Sequence, residues 1–173
     1  TTQIVTVNAS PNPNITGALS FCTGFSTTLD AGAGYTTYNW STGATSQTLN
    51  VTSAGTYLVT VTDAIGCAAT ATKTIEIYDD PTPATAGPDQ TGAATCGLTT
   101  VTLAGNTPTV GNGLWTVVSG TGGSFGDATS PTSTFTGDAG LTYTLRWTIT
   151  SGPCTPSSDE MMVTFNQNPT VAD

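Results

Sequence analysis

One order of landmarks runs through this chain twice. Cys22, the opening Gly55-Thr56-Tyr57 and Cys67 follow one another in the first half, and Cys96, Gly140-Leu141-Thr142-Tyr143 and Cys154 do so in the second. A chain that repeats its landmarks in this way folds as successive copies of one plan, each closing its own core. The 173 residues therefore read as two units of roughly 80 to 90 residues. Asp80-Pro81-Thr82-Pro83-Ala84-Thr85 separates them and is echoed by Asn168-Pro169-Thr170-Val171-Ala172-Asp173. The expected organisation is a unit over 1–78, a linker over 79–85, a second unit over 86–168, and over 169–173 the start of a linker to a further repeat. Prolines should extend the linker and charges keep it open, setting the units end to end as a piece of a tandem array.

Within each unit the apolar residues recur at every second position, the period of a half-buried strand. Tyr57, Val59 and Val61 share one face while Thr60 and Thr62 take the other. In the second unit Tyr143, Leu145, Trp147 and Ile149 point inward and Arg146 outward; Met161, Val163 and Phe165 face the core on the last strand, as do Tyr38 and Trp40 on an early one. Turn-forming clusters such as Asn12-Pro13-Asn14, Ser41-Thr42-Gly43, Gly111-Asn112-Gly113 and Ser151-Gly152-Pro153 interrupt these runs at short intervals. Strands are expected near 3–8, 26–30, 36–41, 46–51, 56–63 and 68–77, then near 86–91, 99–104, 113–119, 132–136, 142–150 and 159–166. The fold class is all-β, two tandem sandwiches.

Gly55-Thr56-Tyr57 and Gly140-Leu141-Thr142-Tyr143 resemble the tyrosine corner of immunoglobulin-like sandwiches, in which a phenol at the start of the penultimate strand bonds back to the backbone. Trp40 and Trp115, each on a third strand, supply the bulky plug between sheets that such a fold needs. The stretch from Tyr38-Asn39-Trp40-Ser41-Thr42-Gly43-Ala44-Thr45 through Ala54-Gly55-Thr56-Tyr57 to Thr60-Val61-Thr62-Asp63-Ala64-Ile65-Gly66-Cys67 resembles the PKD-like and immunoglobulin-like repeats of Bacteroidota surface proteins. Ala86-Gly87-Pro88-Asp89-Gln90-Thr91, Leu103-Ala104-Gly105-Asn106, Trp115-Thr116-Val117-Val118-Ser119-Gly120 and Leu145-Arg146-Trp147-Thr148-Ile149 are similar to repeats of the giant SprB-type adhesins of gliding motility. The resemblance implies two PKD-like, immunoglobulin-like domains in a long cell-surface filament exported by type IX secretion. Its partners would be neighbouring repeats of the same chain and a substratum or surface polysaccharide.

Composition narrows the alternatives. Charged residues are 8% of the chain, against about 25% in ordinary globular domains, so hydroxyls and amides must keep the surface wetted. Lys73 and Arg146 are the sole cations against eleven acids, a net charge of −9 that argues against nucleic acid and anionic lipid. No apolar run is long enough to span a bilayer and no leader pattern opens the chain, which reads as a monomeric interior fragment without membrane insertion. Four cysteines without CxxC spacing or any histidine fit disulfides in an extracellular, cell-surface compartment better than zinc.

The lack of histidine excludes imidazole bases and the triads built on them. Asp79-Asp80 and Asp159-Glu160 are adjacent pairs that a strand sends to opposite faces, so no enzyme is expected. No cofactor is expected either, with calcium the one candidate ion: Asp79, Asp80 and Asp89 flank the boundary and offer the oxygens that a hard cation takes. The rival reading of those acids is a solvated linker. Repeat order predicts disulfides Cys22–Cys67 and Cys96–Cys154, although strict immunoglobulin topology puts these positions at opposite ends of a sandwich. Lys73 falls on the apolar face of its strand and suggests an isopeptide bond, a bulge, or a side chain that snorkels at the sheet edge. The Thr-x-Thr pairs read as outward strand threonines. A glycan-binding module is the alternative function; it would depend on Tyr35, Phe125 or Tyr78, because the tryptophans all read as core.

Overall fold

The computed structural model describes residues 9–167, and the chain divides after Tyr78 into two compact units. The strand expected near 3–8 and the linker expected over 169–173 lie outside the described residues.

Unit 1 is built from β1 (Ser20–Cys22), β2 (Thr27–Asp30), β3 (Thr37–Trp40), β4 (Thr48–Val51), β5 (Gly55–Thr62) and β6 (Ala68–Tyr78). One sheet has the order β1-β6-β5-β3 and the other pairs β2 with β4. The long β5–β6 hairpin organises the first sheet, in register from Gly55 opposite Ile75 to Thr62 opposite Ala68. Alternation decides its faces: Val59, Val61 and Ile75 are buried together with Leu29, Trp40 and Val51 from the other strands, while Thr60 and Thr70 stand opposite each other on the outer side. The strand β1 is the one not expected from the sequence. It runs parallel to β6, with Phe21 opposite Ile77, and at three residues it is too short to display a period.

Unit 2 contains a 3-10 turn at Gly92–Thr95 and then β7 (Thr100–Thr102), β8 (Asn112–Ser119), β9 (Ser124–Phe125), β10 (Thr134–Thr136), β11 (Thr142–Thr150) and β12 (Ser157–Thr164). Its sheets have the orders β12-β11-β8 and β7-β10-β9. The strand expected over 86–91 is reduced to a parallel bridge between Gln90 and Val163. Residues expected as linker belong to this unit: Thr82 N–H donates to the Val110 carbonyl, Ala84 N–H to Ser157 Oγ and Thr85 N–H to Asn106 Oδ1. Proline restricts the backbone here without freeing it, because the Thr82, Ala84 and Thr85 amides have each found an acceptor.

The core of unit 2 is aromatic. Tyr143, Leu145, Trp147 and Ile149 are fully buried, Trp115 lies 5.1 Å from Trp147 between ring centroids, and Phe135 sits 5.0 Å from Tyr143. Rings of this size leave no room for neighbouring side chains. A Cβ on Gly113 would fall within the Trp147 indole, and one on Gly120, whose φ of +104° already disfavours other residues, would meet the Tyr143 ring. Gly113→Ala should lower the unfolding free energy by about 1–3 kcal/mol, as overpacking does; the shift in urea midpoint of the unit-2 transition measures it, and an unchanged midpoint would contradict the packing.

Candidate functional site

The cysteines, the acids and the two tyrosines that open β5 and β11 are the groups among the described residues with chemistry to offer. Cys22 and Cys154 are disulfide-bonded, Cys67 is a free thiol, and Cys96 keeps a thiol whose Sγ donates to the Gln167 carbonyl at 3.6 Å. The expected bridges Cys22–Cys67 and Cys96–Cys154 are therefore not formed. Distance is the reason. Cys22 stands opposite Tyr78 at the last residue of β6, whereas Cys67 immediately precedes its first residue, Ala68. About ten residues at ~3.3 Å each, or ~33 Å, separate the two ends, against a limit of about 7 Å between the α-carbons of a disulfide. Unit 2 repeats the arrangement: Cys154 lies in the turn before β12, and Gly97, next to Cys96, donates its N–H to Asn166 beyond the far end of that strand. Each unit thus carries one cysteine at the pole of its last hairpin turn and one at the opposite pole. The presence of disulfide-bonded cysteines points to an oxidising compartment, secreted or at a surface.

The acids are occupied in holding backbone. Asp63 Oδ1 accepts from the N–H groups of Ile65 (3.0 Å) and Cys67 (2.8 Å), Asp89 Oδ1 from Met162 N–H (2.8 Å), and Asp159 Oδ2 from Ala86 N–H (2.8 Å). Glu160 pairs with Arg146 across the outer face of the β11–β12 ladder, so Asp159 and Glu160 do diverge to opposite sides. Asp30 is held below its ordinary value of 3.8, first by the Gln47 amide and then by Gly32 N–H. Asp127 is lowered by the Thr129 hydroxyl and its N–H. Asp79, Asp80 and Asp89 are exposed. An open groove near Asp89 is lined by Thr144, Glu160, Met161 and Met162, but both of its carboxylates already have partners.

Both tyrosine corners form. Tyr57 Oη donates to the Ser53 carbonyl at 2.7 Å; Tyr143 Oη donates to the Thr121 carbonyl at 2.9 Å and accepts from Asp138 N–H at 2.9 Å. Lys73 lies opposite Tyr57 in an unbroken ladder and is half-buried, the arrangement of a side chain that snorkels rather than one displaced by a bulge. The loop aromatics offer little to a sugar: Tyr35 packs edge-on against Tyr38, Phe125 stacks on Trp115, and Tyr78 Oη donates to Glu76. Phe25, 70% exposed, is an aromatic on the outside that alternation had no means to place, since it follows the end of a three-residue strand. Hydroxyls cover the outer faces instead, in cross-strand pairs such as Thr56 with Thr74 and Thr142 with Thr164, both at 2.9 Å.

No protein-family model matches the chain, and no curated protein does. Solved structures do. The fibronectin(III)-like modules of Clostridium thermocellum CbhA align with a TM-score of 0.54 at 12% identity, covering 90% of this chain and 95% of that one. Murine CEACAM1b aligns at 0.56 and 10% identity over 90% and 100% of the two chains, and Sidekick-1 immunoglobulin domains 1-5 at 0.53 and 14% over 91% and 40%. At such identities the likeness is one of fold: the chain is all-β and immunoglobulin-like or fibronectin III-like.

Three measurements check this geometry. Tyr143→Phe removes from a fully buried ring the hydroxyl that joins the Thr121 carbonyl and the Asp138 N–H in part-buried hydrogen bonds, and should cost about 1–3 kcal/mol; Tyr57→Phe, nearer solvent, should cost less, and equal losses would contradict the difference in burial. Alkylation of the native, unreduced protein followed by peptide mapping should label Cys67 and return neither a Cys22–Cys67 nor a Cys96–Cys154 peptide. Asp30 and Asp127 have folded pKa values below the unfolded 3.8, so their stabilisation is complete above that value and lost as pH falls through the lowered values. Melting temperature should accordingly drop below about pH 4, and Asp30→Asn with Asp127→Asn, which keep an acceptor oxygen and remove the titration, should flatten that drop.

Proposed function

We propose that this chain is a non-catalytic repeat segment of a long cell-surface adhesin filament, in which two PKD-like, immunoglobulin-like domains in series act as extended spacer and adhesive stalk. Surface attachment and gliding of the SprB type are the roles to which the sequence resemblance attaches such a filament. The observation that carries the reading is strand direction. In unit 1 the first strand among the described residues runs parallel to the last, Ser20 opposite Glu76 and Cys22 opposite Tyr78. In unit 2 the bonds Ala84 to Ser157, Ala86 to Asp159 and Gln90 to Met162 advance together along both segments, again in parallel. A chain whose first and last strands are parallel enters a unit at one pole and leaves at the other. Tension applied to the two ends then shears those hydrogen bonds together rather than opening them one at a time. The geometry suits a unit that is pulled.

Adhesion would fall to the hydroxyl-covered outer faces against a substratum or polysaccharide. A dedicated glycan pocket has less support, because the aromatics that would line it pack against the protein's own side chains. Single-molecule extension from the two termini, with disulfides reduced so that a whole unit can lengthen, tests the reading. Two unfolding events are expected, each releasing about 250 Å, from roughly 80 residues at about 3.4 Å per residue less the folded span. Extension without resolved force peaks would remove the mechanical role, and strong, selective binding on a glycan array would favour the sugar-binding module.

A further inference from the structure

Gly111-Asn112-Gly113 leads into β8, and packing demands both glycines. A Cβ on Gly111, whose φ is +93°, would strike the Thr150 carbonyl oxygen, and one on Gly113 the Trp147 indole. Asn112 is exposed, and among the described residues its carboxamide makes no hydrogen bond; Thr150 Oγ1 reaches only its backbone carbonyl, at 3.5 Å. The strand β8 is an edge of its sheet, and Trp115 N–H donates away from that sheet, to the Ala128 carbonyl at 2.8 Å. Amides along an antiparallel strand alternate in direction, so Gly113 N–H, on the same side as that of Trp115, also lies outside the β8–β11 ladder. A carboxamide without a partner is thus next to a backbone nitrogen outside the ladder, with no side chain on Gly113 to shield either. The other described asparagines lack this combination. Pro13 after Asn12 has no N–H, and Asn14, Asn39 and Asn50 precede the buried Ile15, Trp40 and Val51. Asn106 is bonded through its side chain to the Pro83 carbonyl and Thr85 N–H, and Asn166 Nδ2 donates to the Gly92 carbonyl.

We propose that Asn112 is a site of spontaneous modification in the folded protein, at which the Gly113 nitrogen cyclises onto the Asn112 carboxamide and the ring reopens to aspartate and isoaspartate. The reactants are the chain itself and water. Gly113 gives up its amide proton and its nitrogen attacks Asn112 Cγ; the bond from Cγ to the side-chain nitrogen breaks, and ammonia leaves with the proton, closing a succinimide ring. Water then adds at one of the two ring carbonyls. Addition at Cγ breaks the newly formed bond and gives aspartate on an unaltered main chain. Addition at the Asn112 main-chain carbonyl breaks the original peptide bond, so that the chain runs on through Cβ and Cγ as isoaspartate. Cyclisation requires Asn112 to turn its carboxamide onto the Gly113 nitrogen. As the first residue of β8, beside a glycine at positive φ, it can fray while the strand beyond it stays paired. Either product puts a negative charge on an edge strand that carries none. Isoaspartate also inserts a methylene into the backbone between the partner of Thr150 and the glycine beneath Trp147, and so loosens that packing. This chemistry is independent of the adhesive role.

The full native chain is aged in mildly alkaline buffer beside the same chain unfolded in guanidinium. Both are sampled by peptide mapping and by methylation with protein isoaspartyl methyltransferase. Asn112 is expected to convert in the native chain at a rate within about tenfold of the unfolded one, the ratio that ~1.4 kcal/mol of barrier produces. The other described asparagines should trail it in the native chain by about tenfold or more. Asn112→Gln, whose longer side chain closes a ring poorly, should remove the methylatable product, with melting temperature confirming the fold. Freshly prepared Asn112→Asp carries the charge on an unaltered backbone, so the aged native chain should show a lower urea midpoint than this variant in the unit-2 transition. Conversion confined to the unfolded chain, conversion spread evenly over the asparagines, a methylatable product persisting in Asn112→Gln, or an aged midpoint equal to that of Asn112→Asp would each overturn the proposal.

Discussion

Every tryptophan in this protein is buried, and an indole N–H in an apolar interior must find an acceptor or cost stability. That requirement governs much of the structure around it. Trp40 Nε1 donates to the Ser46 carbonyl, Trp115 Nε1 to Ser130 and Trp147 Nε1 to Asn106. In each case the acceptor belongs to a connection between strands, so the core dictates the path of the loop that passes over it. Turn residues in turn fix strand ends, and the short strands of the smaller sheets need that help: β7 and β10 have three residues each, β9 two. Loops that look irregular are thus held from beneath.

The scarcity of charge has a second structural consequence. With few lysines and arginines to pair with, aspartates accept from backbone N–H groups at turns and strand margins, a use in which one carboxylate satisfies amides that the ladders leave over. Hydroxyls take the place of ion pairs across the ladders, as Thr100 with Thr136 and Ser119 with Thr144, alongside the single Arg146–Glu160 pair among the described residues. Such a surface is wetted by hydroxyls more than by ion pairs.

Sequence reading served best where burial alternates. The inward sets Val59 and Val61, then Tyr143, Leu145, Trp147 and Ile149, and Met161, Val163 and Phe165 are all buried as alternation requires. Both phenols bond back upstream as their position after glycine suggested. What escaped were elements too short for a period, β1 and β9, the shrinking of the 86–91 strand to one bridge, and the anchoring of the 79–85 segment, whose Ala84 and Thr85 amides are claimed by Ser157 and Asn106. The prolines of that segment looked like a linker because local stiffness and tertiary anchoring leave the same mark on a sequence.

The amino-acid order by itself determined which residues face inward and in what order the glycine, tyrosine and cysteine landmarks recur. Those are properties of neighbours a few positions apart and of their comparison along the chain. Cysteine pairing was different in kind. Cys22 and Cys67 are landmarks of one unit, yet β6 runs from one to the other end of its sheet, and a strand of eleven residues holds them at opposite poles. Only the tertiary structure could decide this, because a disulfide answers to distance in space, and the direction in which the first strand lies against the last is written in no local run of residues.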